Sequence, residues 1–240
     1  MSAFPLSAVA DEVPMQVAVK VLPKLILVDK EDVACDDTVA REIRILTELA
    51  DTPGVVELLS WTEGLFDVHL AFAIYTCSLH RYLKQGGLRR PPSGIDDWMP
   101  CFCKQLLEAL SQVHRKRIVH RDSKTANMLV DMAPSGPISS AVSDRSAPRV
   151  VLADFGGACQ LEVHVGSKAS FRILANAPEA TTFQYRAPEL FSTKKLRSCS
   201  YATDVWAMGV CIVEMDQGIL PCGRDLMRSS NMDQIFKDQL

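Results

Sequence analysis

Three polar residues in the middle of the chain are of types that can do chemistry, and two of them, Asn127 and Asp154, can hold a hard metal ion. Asp122 and Asn127 belong to the run His-Arg-Asp-Ser-Lys-Thr-Ala-Asn, and Asp154 opens the tripeptide Asp-Phe-Gly. Carboxylate and amide oxygens are the ligands that suit Mg²⁺. A lone Asp in a loop is more often a turn residue. The metal interpretation therefore depends on Asp154 and Asn127 occurring together.

The elements that must position these residues are predicted from apolar periodicity. Short β-branched or apolar runs predict strands, and apolar residues that share one face predict helices. The predicted strands are 17–22, 55–61, 68–74, 128–130 and 150–152, and the predicted helices are 36–49, 98–117 and 202–215. Between two of these strands, residues 131–149 are rich in Ser and Pro and predict a mobile loop insertion.

Five short segments follow one another in a particular order. They are Val-Ala-Val-Lys20, Glu42, His120 to Asn127, Asp154-Phe155-Gly156 and Ala187-Pro188-Glu189. On these elements and in this order, they resemble the signature set of the eukaryotic-type Ser/Thr protein kinase domain, over roughly residues 6–240. The resemblance implies an α+β, two-lobed fold in one kinase domain. Residues 1–75 would form part of a small lobe with an antiparallel sheet and one helix, and 76–240 part of a larger, mostly helical lobe.

The resemblance implies that ATP lies between the lobes. Lys20 would hold the α- and β-phosphates and would itself be held by an ion pair with Glu42, although Glu48 on the same helix is an alternative. Seen alone, Lys20 would be an ordinary surface lysine at the end of a strand. Small Ala18 leaves room for the flat adenine ring. The remaining residues expected around the base are Phe72 behind it, the connecting segment Ala73 to Tyr75, and Leu129.

The resemblance also assigns the residues of phosphoryl transfer. Asp122 would accept or orient the proton of the substrate hydroxyl, and Lys124 would bind the γ-phosphate and mark the Ser/Thr-specific branch. Asn127 and Asp154 would hold Mg²⁺. Further residues would have supporting roles: Asp204 would hold the catalytic loop, Thr182 would lie near Asp122, and His120, Phe155 and Leu46 would stack between the lobes.

The segment from Thr182 to Leu190 is similar to that of the cyclin-dependent, mitogen-activated and related kinases. A cyclin-dependent-kinase-like member acting on protein Ser/Thr side chains is the expectation. The predicted helix keeps only Ala40-Arg41-Glu42 of the cyclin-binding sequence, which leaves a cyclin-like regulatory partner open. The Ala-Pro-Glu motif and Thr182 disfavour a small-molecule kinase of related fold.

Departures from the family pattern support a second hypothesis. No glycine precedes Gly54, so the Gly-rich loop expected before Lys20 is missing, and the chain stops near Leu240, before the family's last helices. Glycines let a backbone approach phosphates closely. The short C-terminal end is expected to leave the Glu189 carboxylate uncompensated, without its usual arginine partner, and to expose an apolar face. The alternative is a catalytically impaired pseudokinase or interaction fragment.

Composition excludes other classes of protein. A net charge of −3 gives no basic face for nucleic acid or an anionic membrane. The eight cysteines lack the spacing of a zinc site or a disulfide framework. No apolar run is long enough to span a bilayer, and the first residues do not form a signal peptide. A cytoplasmic or nuclear protein is the expectation.

Overall fold

The computed structural model describes residues 16–24, 26–28, 33–35, 38–86, 98–132, 148–160, 181–191 and 200–221. The predictions for the first residues of the chain and for most of the 131–149 insertion lie outside these ranges.

The small lobe contains an antiparallel sheet of three strands in the order β1-β5-β4. The strands are β1 (Val17–Pro23), β4 (Leu58–Glu63) and β5 (Asp67–Ala73). Lys20 of β1 pairs with Leu70 of β5, and Ala18 pairs with Phe72. Side chains alternate between the two faces of a strand, so Ala18 and Lys20 share one face while Val19 points to the other, where it is 55% exposed.

Helix α1 (Thr38–Glu48) is amphipathic and buries Glu42, Ile45 and Leu46. The two apolar side chains belong to the main hydrophobic core. A carboxylate buried beside them requires a cationic or hydrogen-bonding partner. The packing of α1 therefore directs Glu42 inward, towards the sheet and the second lobe.

Two features of the small lobe differ from the predicted strands. A short antiparallel pair, β2 (Ile26–Val28) and β3 (Val33–Cys35), stands between β1 and α1 and was not predicted. The strand predicted from residue 55 begins at Leu58 instead. Val55 forms an isolated parallel bridge with Leu152 of the large lobe, which accounts for its apolar character outside β4.

The large lobe is mostly helical, as predicted. It contains α2 (Leu79–Lys84), α3 (Met99–Arg115) and α4 (Tyr201–Gln217), together with the short strands β6 (Cys77–Ser78), β7 (Ile118–Val119), β8 (Met128–Asp131), β9 (Arg149–Leu152) and β10 (Cys159–Gln160). Strands β6, β8 and β9 form one sheet, and β7 pairs with β10. The hairpin of β8 and β9 places Asn127 and Asp154 at neighbouring strand ends.

Helices α3 and α4 form the base of the large lobe. The apolar stripe predicted for α3 is buried, with Phe102, Leu106, Ala109, Leu110 and Val113 each at most 3% exposed. Helix α4 ends at Gly218, which has a φ of 71° and donates its N–H to the carbonyl of Glu214 at 2.8 Å. None of the helices within the described ranges is long and apolar enough to cross a membrane. The described elements confirm the α+β, two-lobed fold.

Candidate active site

An ion-pair triad joins the two lobes. Lys20 Nζ lies 2.7 Å from Oε1 of Glu42 and 2.7 Å from Oδ1 of Asp154. Strand β1 supplies the lysine, α1 the buried glutamate, and the end of the β8–β9 hairpin the aspartate. The alternative partner, Glu48, instead accepts a hydrogen bond from Gln160 at 2.8 Å. The structure therefore brings Lys20 and Glu42 together, as the sequence predicted.

The triad shifts the proton affinities of its members in different directions. Burial works to lower the pKa of Lys20, but the hydrogen bonds to Asp154 and Glu42 hold it above its usual 10.5. Burial also dominates at Glu42, where it raises the pKa above 4.5 against the effect of Lys20. At Asp154 burial acts in the same direction, but Lys20 outweighs it and the pKa is lowered below 3.8. Asp154 is therefore the carboxylate that stays ionised most readily.

A cavity of about 370 Å³ opens beside the triad, between the lobes. That volume lies within the range of small-molecule and cofactor sites. The residues predicted around the base, the α- and β-phosphates and the metal all line it: Ala18, Lys20, Glu42, Phe72, Ala73 to Tyr75, Asn127, Leu129 and Asp154. Its lining also includes Cys77, Ser78 and Ala126, which the sequence did not indicate because their motifs are not distinctive. Asp122 and Lys124, predicted for the transfer step, do not line it.

Asp122 lies instead at the centre of a hydrogen-bonded cluster. Its Oδ2 accepts hydrogen bonds from Lys124 Nζ at 2.7 Å and from Asn127 Nδ2 at 3.0 Å. Its Oδ1 accepts two from Thr182, one from the main-chain N–H and one from the hydroxyl. Lys124 also donates to the Thr182 hydroxyl at 2.8 Å. The cluster holds the Asp122 carboxylate against the segment 181–190, which contains Thr182.

Asp204, near the start of α4, anchors the loop before Asp122. Its two carboxylate oxygens accept the main-chain N–H groups of His120 at 2.7 Å and Arg121 at 2.8 Å. Its Oδ2 also lies 3.0 Å from Nε2 of His114. Arg121 has a φ of 71°, a conformation that is uncommon for residues other than glycine. Because Asp204 is 1% exposed, these contacts are protected from water and hold the loop in this conformation.

His120 and Phe155 stack with ring centroids 4.7 Å apart, as predicted. Nε2 of His120 lies 3.0 Å from the carbonyl oxygen of Ala153, and Nδ1 lies 3.3 Å from the main-chain N–H of Asp122. A carbonyl can only accept and an N–H can only donate, so the hydrogen bonds assign the proton to Nε2. His120 thus connects the catalytic loop to the Asp-Phe-Gly segment.

The donor set at one edge of the cavity fits Mg²⁺. Asn127 uses its amide nitrogen to bind Asp122, which leaves its Oδ1 without a hydrogen bond among the described residues. Asp154 binds Lys20 through Oδ1 and is 45% exposed. One amide oxygen and one carboxylate that line the same cavity are hard ligands of the kind that Mg²⁺ takes alongside water and phosphate. Across the ranges described, no cluster of three or more His, Cys, Asp or Glu side chains forms another metal site.

The sequence missed a second polar cluster, which surrounds Glu214. Glu214 of α4 is buried and is contacted by Thr125 and Tyr185. The available signal was a glutamate within an otherwise apolar helix, which requires partners when it is buried. Glu189, expected to lack its usual arginine partner, is exposed in the turn Pro188–Phe191, so water solvates its carboxylate.

Comparisons with known proteins agree with this geometry. A family model described as the protein kinase domain matches residues 6–239. The chain is 30% identical over 199 residues to cyclin-dependent kinase 7 of Dictyostelium discoideum, covering 83% of this chain and 47% of that one. It is 32% identical over 198 residues to cell division control protein 2 homolog 3 of Trypanosoma brucei brucei, covering 81% of this chain and 53% of that one.

The chain therefore spans about half the length of the curated relatives it matches. The similarity to both relatives bears out the resemblance to the cyclin-dependent branch. The family match covers most of the sequence, including both lobes, the ion-pair triad and the Asp122 cluster. The chain belongs to the protein kinase family.

Proposed function

We propose that this chain is a protein Ser/Thr kinase that transfers the γ-phosphate of ATP to a protein hydroxyl group. The observation that carries the proposal is the position of Asp122. Its carboxylate is held by Lys124, Asn127 and Thr182, and Asn127 also lines the cavity beside the ion-pair triad. Asn127 thus connects the proposed proton acceptor and Lys124 to the cavity that Lys20 and Asp154 line.

The residues of the cleft have separate tasks in this mechanism. Lys20, kept in place by Glu42, would bind phosphate oxygens of ATP, and Phe72 with Ala73 would border the base. Asn127 and Asp154 would hold Mg²⁺, and the bound ion would neutralise the negative charge of the phosphates. These residues account for binding and orientation, which contribute most of the catalysis of phosphoryl transfer.

Asp122 would orient the substrate hydroxyl and accept its proton. General-base groups of this kind contribute about 10²- to 10⁴-fold to a rate. Lys124, 2.7 Å from the Asp122 carboxylate, would neutralise negative charge that develops on the phosphoryl group during transfer. Thr182 approaches Asp122 from the segment 181–190, and this arrangement favours a protein acceptor brought in along that segment.

A cyclin-like regulatory partner is part of the proposal. Helix α1 carries Glu42 on its buried side and exposes Ala40, Arg44 and Glu48 on the other. A partner bound to the exposed side would set the position of Glu42 and hence of Lys20. The tagged parent chain can be purified and its bound proteins identified by mass spectrometry. A cyclin that binds the parent chain and is lost with Arg44→Glu would support this partner. If Arg44→Glu retains the cyclin, the exposed side of α1 is excluded as the cyclin-binding surface.

Phosphate transfer from labelled ATP and Mg²⁺ to a Ser/Thr peptide library tests the activity. The parent chain should phosphorylate the library, Asp122→Asn should lower kcat at least about 10²-fold, and Asp154→Asn should abolish Mg²⁺-dependent transfer. Asp216→Asn, at an exposed position late in α4, is the matched control and should behave as the parent. Nucleotide binding by the parent without any transfer would refute the kinase and favour the pseudokinase alternative.

A further inference from the structure

A buried polar cluster lies behind the catalytic loop, defined here as residues 120–127. Glu214 Oε2 accepts hydrogen bonds from the hydroxyl of Tyr185 at 2.6 Å and from the hydroxyl of Thr125 at 3.0 Å. Glu214 Oε1 lies 3.3 Å from Nδ1 of His80, which is also 3.4 Å from the Thr125 oxygen. The cluster joins α2, the catalytic loop, the segment 181–190 and α4.

The available protons determine the direction of these bonds. A carboxylate only accepts, whereas each hydroxyl has a single proton to donate. Thr125 and Tyr185 both donate that proton to Glu214, so the 3.3 Å contact between the two hydroxyls is a secondary one. Thr125 is fully buried and Glu214 is 6% exposed, so water cannot replace a bond that is lost. Burial and the hydrogen bond to Glu214 raise the pKa of Tyr185, which keeps its phenol protonated as a donor.

Because of where Thr125 lies in the chain, its hydrogen bond to Glu214 also affects the placement of Lys124 and Asn127. Thr125 directly follows Lys124 and begins the 3₁₀ turn Thr125–Asn127. Lys124 and Asn127 are the two residues of the loop that bind Oδ2 of Asp122. A displacement of Thr125 would therefore move both donors relative to the carboxylate they hold.

Helix α4 contacts the catalytic loop at two points. Asp204 holds the start of the loop through the N–H groups of His120 and Arg121. Glu214 holds the end of the loop through Thr125, ten residues further along the same helix, or about 15 Å at 1.5 Å per residue. Glu214 also binds Tyr185, three residues after Thr182, which contacts Asp122 from the opposite side. Helix α4 thus sets the spacing of the groups that contact the Asp122 carboxylate.

We propose that Thr125 is a positioning residue for phosphoryl transfer, acting through Glu214 to hold Lys124 and Asn127 against Asp122. The role rests on the proposed kinase function, because it concerns the geometry of that transfer step. Thr125 does not line the nucleotide cavity. Loss of its hydroxyl should therefore slow turnover more than it weakens ATP binding, because Asn127, which lines the cavity, would be displaced only through the loop.

The test compares Thr125→Val, which keeps the shape and removes the donor, with Thr125→Ser, which keeps the donor. Thr125→Val should lower kcat about tenfold, the size expected from one hydrogen bond to a charged group, and should change the KM for ATP less than kcat. Thr125→Ser should restore most of that loss. Thr52→Val is the control, because Thr52 is buried away from the cavity and its hydroxyl has no hydrogen-bond partner among the described residues.

A second readout does not require activity. Amide hydrogen exchange of residues 120–127 should be faster in Thr125→Val than in the parent and should return to the parental rate in Thr125→Ser. If the parent transfers no phosphate, the kinase proposal fails, and the exchange rates alone then decide whether Thr125 holds the loop. Equal exchange in all three proteins, or a Thr125→Ser variant as slow in turnover as Thr125→Val, would overturn the positioning role.

Discussion

Thr182 donates two hydrogen bonds to a single oxygen of Asp122, from its main-chain nitrogen at 3.0 Å and from its hydroxyl at 2.6 Å. The two residues are 60 positions apart in the sequence and belong to different segments of the large lobe. The contact places the segment 181–190 beside the proposed proton acceptor. It also leaves Oδ2 to Lys124 and Asn127, so each oxygen has its own set of donors.

We predict that Thr182→Val lowers kcat roughly tenfold, because it removes the hydroxyl donor and keeps the main-chain one. Thr182→Ser should retain most of the parental activity. Thr62→Val, at an exposed position of β4, provides the control for a threonine-to-valine change. Steady-state kinetics with the best peptide from the library measure the effect. A Thr182→Val enzyme as fast as the parent would show that the hydroxyl is dispensable.

The affinity for ATP should depend on the protonation of Glu42. Burial raises the pKa of Glu42 while Lys20 lowers that of Asp154, so acidification neutralises Glu42 first. A raised carboxyl pKa means that the proton is bound at a higher pH than in the unfolded chain, and the ion pair with Lys20 weakens from that pH downwards. Calorimetric titration with ATP between pH 7 and about pH 4 should show a loss of affinity that Glu42→Gln lacks.

The same titration contains its own control. Protonation of the nucleotide affects the parent and Glu42→Gln equally, so only the difference between their curves reports on Glu42. If the two curves have the same shape, Glu42 does not titrate in this range or does not support nucleotide binding.

Replacement of Asp204 should destabilise the protein strongly. Asp204→Ala would leave the buried N–H groups of His120 and Arg121 without an acceptor, at a cost of about 1–3 kcal/mol for each donor. We expect the free energy of unfolding to fall by about 3 kcal/mol, as measured by urea denaturation. Asp216→Ala, on the exposed face of the same helix, should change it by less than about 0.5 kcal/mol.

Two glycines with similar backbone conformations should respond differently to alanine. Gly54 has a φ of 78°, and an added Cβ would lie 2.6 Å from Cβ of Ala109 in α3. Gly86 has a φ of 75°, and no atom of the described part of the chain lies within 4 Å of an added Cβ. Gly86→Ala should cost only the left-handed strain of about 1 kcal/mol, and Gly54→Ala should cost about 1–3 kcal/mol more because of overpacking. Equal losses in thermal unfolding would show that the contact with α3 relaxes freely.

The sequence brought out the residues that line the cavity because they occur in short, ordered motifs, and their roles towards a nucleotide stay predictions. Lys20, Glu42, Asn127 and Asp154 lie where the resemblance places them, and Glu42 rather than Glu48 binds the lysine. The apolar stripe of α3 was predicted equally well, because a helix with one buried face has apolar residues at regular helical spacing.

Other features depend on contacts between distant segments, which periodicity does not record. Val55 resembles a strand residue because it is apolar, but it bridges to Leu152 of the other lobe instead of pairing within β4. The contacts of Glu214 with Thr125 and Tyr185 join residues 89 and 29 positions away, and no local pattern indicates them. Glu189 is solvated because its turn lies at the surface, a property that a motif alone does not determine.

The two contacts of Lys20 have a consequence for how an anion enters the cleft. An ammonium group has three protons, and Glu42 and Asp154 account for two of them. The third has no acceptor among the residues that the structure describes, so a phosphate oxygen can bind it without first breaking either contact. The lysine side chain is 33% exposed, so that approach is open from the solvent. Anion binding would then tighten the junction of the two lobes, and the empty and filled cleft would differ little in the arrangement of these three residues.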